Sequence, residues 1–172
     1  MGVLFDYFRA SDPVAAASVM ELPAGPLVPG DEGQPPFDGV DAKGIDPAVV
    51  LGQLVAIARG VPWSTETVTS RSVRPPPDTA PVSVEQAAEL SEDSPWFTGP
   101  WVEELDDLTR DTLADISDSR YGEIAARWAQ IEGFAHYSDI IEDSLSPLVA
   151  DLSGLARRAR DAGHRLYCWS CL

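Results

Sequence analysis

The sequence predicts an α+β fold in one domain, and three observations carry that prediction. Both ends of the chain have strand character (GVLFDYFR at 2–9 and HRLYCWSCL at 164–172), amphipathic helical stretches lie between them, and no regular β-α-β alternation joins the two. At 172 residues with 44% hydrophobic side chains, the chain is able to bury roughly 70% of its unfolded surface and needs no staples. The expectation is a single domain over 1–172, with a small mixed sheet that includes both terminal strands and about five helices packed on it.

Taken in order, Val3, Phe5 and Tyr7 share one face of the opening strand. Asp12–Pro13 then supplies an N-cap followed by proline at the first helical position, predicting a helix over 12–21. Residues 22–46 are a long loop rich in proline and glycine, with room for a short strand around Phe37–Ala42. Asp46–Pro47 repeats the capping signal. Val50, Leu51, Leu54, Ile57 and Ala58 fall on one helical face, and Gly60 is the stop. The alternating TETVTSRSVR at 65–74 suits a half-buried strand, which Pro75–Pro77 ends. Ser83 and Gln86 form a capping box for a short helix to about Leu90.

A helix of about 16 residues is expected from Trp101, because Trp101, Leu105, Leu108, Thr112 and Ile116 keep helical spacing. Asp118 or Ser119 caps the next helix, with Tyr121, Ile124, Ala125 and Trp128 inward. Ser146–Pro147 is the expected start of the last helix, with Leu148, Val149, Leu152, Leu155, Ala156 and Ala159 in the core. Arg157, Arg158 and Arg160 suit its C-terminal dipole. The closing strand is apolar on both faces, which predicts an interior strand covered on two sides.

The two ends of the chain resemble the YfbM-like family of uncharacterised bacterial proteins. The resemblance rests on MGVLFDYF with its following short helix, and on WVEELDDLTRDTLADISDSR, HYSDIIED, the helix ending ARRARDAG and the terminal apolar strand. It covers about 1–21 and 100–172. It implies an α+β fold and transfers no functional residue.

Charge is the strongest functional signal. The chain carries net −16, and a phosphate backbone or an anionic membrane surface is repelled by such a field. A basic protein partner is the favoured alternative. Eleven carboxylates lie from Glu85 to Asp118 against one base, Arg110. With Trp96 and Phe97 beside them, Glu103, Glu104, Asp107 and Asp111 are the expected binding residues, gathered on one outward acidic face edged by aromatic anchors. This pattern suggests a non-enzymatic, immunity-like or inhibitory binding domain. The competing expectation is a small-ligand binder or hydrolase-type enzyme whose pocket holds His136, Asp139 and Glu142, a His–carboxylate cluster within one short stretch. A homodimer through the terminal strand is the third partner expectation, since Tyr167 and Trp169 need cover.

Other chemistries lack their motifs. Cys168 and Cys171 mimic a CxxC pair, but in a strand they point to opposite faces about 10 Å apart, beyond the roughly 7 Å a disulfide spans. Neither a metal nor a cofactor is expected. There is no Gly-x-Ser-x-Gly, Gly-x-Gly-x-x-Gly, Gly-Lys-Ser/Thr or His-Glu-x-x-His sequence. Arginine supplies all the basic residues except Lys43, a coding habit of GC-rich genomes. No apolar run reaches 18 residues and no basic n-region precedes the first apolar stretch, so a cytoplasmic protein is expected.

Overall fold

A computed structural model describes residues 3–30, 33–134 and 138–172, with the backbone alone over 138–143. Five strands form one sheet in the order β2-β1-β5-β4-β3. They are β1 (Leu4–Ala10), β2 (Gly39–Asp41), β3 (Ser70–Arg74), β4 (Trp101–Leu105) and β5 (Arg165–Cys171). Every pairing is antiparallel where a mixed sheet was expected, because no neighbouring pair is joined by a parallel crossover. The two terminal strands are neighbours along their whole length, from Leu4 opposite Cys171 to Ala10 opposite Arg165.

Seven α-helices accompany the sheet among the described residues: α1 (Pro13–Ala17), α2 (Val50–Arg59), α3 (Val84–Glu89), α4 (Pro95–Thr98), α5 (Asp107–Ala114), α6 (Tyr121–Trp128) and α7 (Ser138–Asp161). α2, α5, α6 and α7 cover one face, where Tyr7, Leu166 and Cys168 meet Leu51, Leu54, Leu113, Ile124, Trp128 and Leu152. The Trp128 indole donates to the Val50 carbonyl at 2.9 Å, so its buried N–H is satisfied. α1, the 3₁₀ turn Ser18–Glu21 and the following loop cover the other face over Phe8, Val102, Tyr167 and Trp169. β5 thus lies inside on both sides, as its two apolar faces predict.

Local signals explain most of the helix ends. Asp12 accepts from the N–H groups of Val14 and Ala15, each at 2.9 Å. Asp46 accepts from Val49 at 2.7 Å and Val50 at 3.2 Å, one turn ahead of α2. Gly60 ends α2 at φ 69°, a left-handed conformation that costs glycine nothing. The Ser83 box forms, with Gln86 N–H on Ser83 Oγ at 3.2 Å and Val82 N–H on Gln86 Oε1 at 3.0 Å. The loop at 22–46 holds the short β2 and packs inward through Phe37, whose ring meets Phe8 edge-on at 4.8 Å.

Several elements differ from expectation: the strand expected over 65–74 forms only at Ser70–Arg74, and neither Asp118 nor Ser119 caps α6 through its side chain. Residues 101–105 are a strand and only 107–114 a helix, because WVEEL pairs with β3 on one side and β5 on the other. Asp106 separates the two, accepting from Thr109 N–H at 2.7 Å as the N-cap of α5. The apolar face of α5 turns accordingly: Thr109 and Leu113 are buried and Leu108 is exposed. α7 starts at Ser138 and runs through Pro147, which sits inside it and does not begin it.

Candidate binding surface

β4 decides the fate of the acidic run. Successive side chains of a strand point to opposite faces, so Glu103 and Glu104 part. Glu104 stands opposite Tyr167 and is 7% exposed. Arg71 Nη2 contacts both of its oxygens at 3.1 Å, Arg165 contacts Oε1, and the Tyr167 hydroxyl donates to Oε2 at 3.3 Å. Burial, then the Glu104 charge, holds the Tyr167 hydroxyl protonated well above the ordinary phenol range. Glu103 faces the helix layer opposite Cys168 and accepts from Ser70 Oγ at 2.8 Å.

The carboxylates that follow are also engaged. Asp106 binds the Thr69 N–H and hydroxyl at 2.7 and 2.9 Å, tying the start of β3 to α5. Asp107 and Asp111 flank Arg110 at 3.1 and 2.8 Å. Asp115 pairs with Arg160 at 2.6 Å and Asp118 with Arg157 at 2.9 Å. The expectation that Glu103, Glu104, Asp107 and Asp111 form one outward patch is therefore corrected. Strand alternation sends Glu104 inside, Arg110 pairs with Asp107 and Asp111, and arginines brought from 33 to 61 residues away in sequence pair with Glu104, Asp115 and Asp118.

Trp96 and Phe97 lie elsewhere, on the 75–100 excursion that connects the edge strand β3 to β4. The Trp96 indole N–H donates to Thr79 Oγ1 at 3.2 Å and pins α4 to the turn that follows β3. Phe97 is exposed, and so are Val82 and Val84 on and beside α3. Asp78, Glu85, Glu89, Glu92 and Asp93 are exposed on the same excursion. No Lys, Arg or His occurs between Pro75 and Thr109, and no ion pair among the described residues involves these five carboxylates. Charge sign along the sequence signals this excursion; which carboxylates keep their charge unpaired is a tertiary fact.

His136 lies outside the described residues. Asp139 and Glu142 belong to the first turns of α7, and their side chains lie outside the described residues too. An apolar cleft of about 520 Å3 is lined by Phe5, Ile45, Phe134, Leu145 and Leu148, together with Lys43. Cys168 is buried on the helix side and Cys171 is half-buried on the other face, both as free thiols. Burial pushes the Cys168 thiol far above its usual range, which leaves it an inert core group. His164 Nδ1 lies 3.2 Å from Arg9 Nη1. Among the described residues no group of three or more His, Cys, Asp and Glu side chains is placed to hold a metal ion, and no helix is long and apolar enough to cross a membrane.

Compared with known proteins, the chain matches no family model, no curated protein and no solved structure.

Proposed function

We propose that this protein is a non-enzymatic protein-binding domain, immunity-like or inhibitory in kind, that takes a basic partner on its 75–100 excursion. The observation that carries the reading is the coincidence there of five exposed carboxylates, no basic residue and three exposed apolar side chains, Val82, Val84 and Phe97. Unpaired charge steers association, and an adjacent aromatic side chain gives the contact an anchor. Of the residues expected from sequence to bind, Trp96 and Phe97 stay in this surface, with Glu85, Glu89, Glu92 and Asp93 taking the place of the carboxylates of β4 and α5.

The test is capture of partners from the native host at low and high salt. The wild-type chain is compared with a variant carrying Glu85→Gln, Glu89→Gln, Glu92→Gln, Asp93→Asn and Phe97→Ser. The reading requires basic proteins that high salt releases and the variant fails to retain. Equal capture by both chains removes it.

A second reading, a small-ligand binder or hydrolase-type enzyme near His136, draws support from the apolar cleft of about 520 Å3 lined by Phe134 and Leu145, which flank His136 in sequence. An esterase activity abolished by His136→Ala would favour it over the first. Kinship with the YfbM-like proteins is a separate proposal resting on the sequence of the two chain ends, and it bears on neither reading.

A further inference from the structure

A second cleft, of about 480 Å3, runs beneath the 75–100 excursion. Its walls are apolar, formed by Trp96, Leu90, Pro75 and Pro100 with Met20 from beyond α1. Among its described lining residues one is charged, Arg74. The Thr79 hydroxyl at the rim is already spent, donating to the Pro76 carbonyl at 2.7 Å while accepting from Trp96.

Arg74 is unusual in this chain. Eight of the eleven arginines are in ion pairs: Arg9, Arg71, Arg110, Arg127, Arg157, Arg158, Arg160 and Arg165. Arg120 donates to the Ala58 carbonyl, and Arg59 is exposed at the end of α2. Arg74 is half-buried, yet its guanidinium has no hydrogen-bond or ion-pair partner among the described residues, although the chain carries net −16.

Its direction is set by a bulge. The β3–β4 register shifts between Ser72 and Arg74, so that Arg74 stands opposite Val102. Val102 belongs to the α1-side cluster. Strict alternation from Arg71 would send Arg74 to the other face; the extra residue turns it to the same side, the usual effect of a bulge. There it also borders a neighbouring cleft between α1 and β3, where Arg71 and Glu21 are the other charged groups.

We propose that the cleft under Trp96 is a binding site for a small apolar monocarboxylate, its carboxylate on Arg74 and its apolar body between Trp96 and the prolines. The volume and the mostly apolar lining suit a small ligand held by one polar contact. One guanidinium balances one negative charge, and its planar fork matches a carboxylate. A phosphate dianion would bring a second charge, uncompensated, beside Glu21 and the carboxylates of the excursion. A neutral ligand would forgo the charge-assisted contact that a carboxylate makes with the guanidinium. This site goes beyond the docking surface proposed above and does not depend on it.

The test uses N-acetyl-L-leucine as the probe and N-acetyl-L-leucinamide as its neutral match. The readout is the Trp96 indole N–H resonance of the full chain, assigned through Trp96→Phe. The acid is expected to shift that resonance saturably, the amide to bind at least tenfold more weakly, and Arg74→Gln to lose the discrimination while Arg59→Gln keeps it. Arg74→Lys, which retains the charge, preserves part of the preference and guards against loss of fold in the glutamine variant. Equal response to acid and amide, unchanged discrimination in Arg74→Gln, or no saturable shift overturns the proposal.

Discussion

Arg158 grips Asp38 through two N–H···O contacts of 2.8 Å each, across 120 residues of sequence. Arg9 binds the same carboxylate at 2.7 Å. One aspartate thereby joins the C-terminal end of α7, strand β1 and the chain entering β2. The Arg158 hydrogen bonds, supported by Arg9, hold the Asp38 carboxyl down at about 2. A depressed carboxyl contributes stability above its unfolded value near 3.8 and loses it as pH falls through about 2. Asp38→Asn is therefore expected to cost about 1 kcal/mol at pH 7, discounted for its partial exposure, and to flatten the acid limb between about pH 4 and 2. Urea titrations at pH 7 and pH 2.5 check both.

Asp6 has the opposite sign. Burial, then the neighbouring charge of Asp41, raises its carboxyl from 3.8 to about 6. Such a group binds its proton more tightly when folded, so stability is full below the unfolded value and declines as pH rises through about 6. Asp6→Asn is expected to stabilise the protein by about 1 kcal/mol at pH 8, again discounted for exposure, and to change little at pH 3.5. Thermal melts at the two pH values decide it.

The Glu104 network predicts a graded response. Arg71→Ala leaves Glu104 held by Arg165 and Tyr167, and removes a side chain that is 61% exposed; the expected cost is under about 1 kcal/mol. Removing Arg71 and Arg165 together leaves a buried carboxylate with one hydroxyl, at a cost of about 3 kcal/mol or more. A double-mutant cycle in urea reads the coupling.

Gly39 and Gly60 separate two reasons for glycine. A Cβ on Gly39 would lie 2.4 Å from the Tyr7 carbonyl oxygen, a backbone atom that cannot step aside. Gly39→Ala is expected to cost about 2 kcal/mol or more and to weaken protection of the β1–β2 amides in hydrogen exchange. At Gly60 the space is open and only φ at 69° opposes a side chain, so Gly60→Ala costs about 1 kcal/mol.

Helix caps and strand faces were legible because they depend on near neighbours. Asp12 and Ser83 cap from two to three residues away, and Asp46 binds the N–H groups of Val49 and Val50 just ahead of and at the start of α2. The apolar character of both faces of 165–171 placed that strand inside. WVEEL at 101–105 was not legible. Its residues also fit helical spacing, and only the backbone partners offered by β3 and β5 resolve the ambiguity. The proposed binding residues followed the same divide: the sequence marked Trp96, Phe97 and an acidic middle third, but not which of its charges remain unpaired.

What the amino-acid order alone determined is the α+β class, the pairing candidates at the two ends, the sign of the charge and the local stops and starts. Folding decided the rest, because ion pairs and strand partners form between residues tens to more than a hundred positions apart. Arg71 and Arg165 claim Glu104, Arg160 claims Asp115 and Arg157 claims Asp118. On the 75–100 excursion, Asp78, Glu85, Glu89, Glu92 and Asp93 enter no ion pair among the described residues.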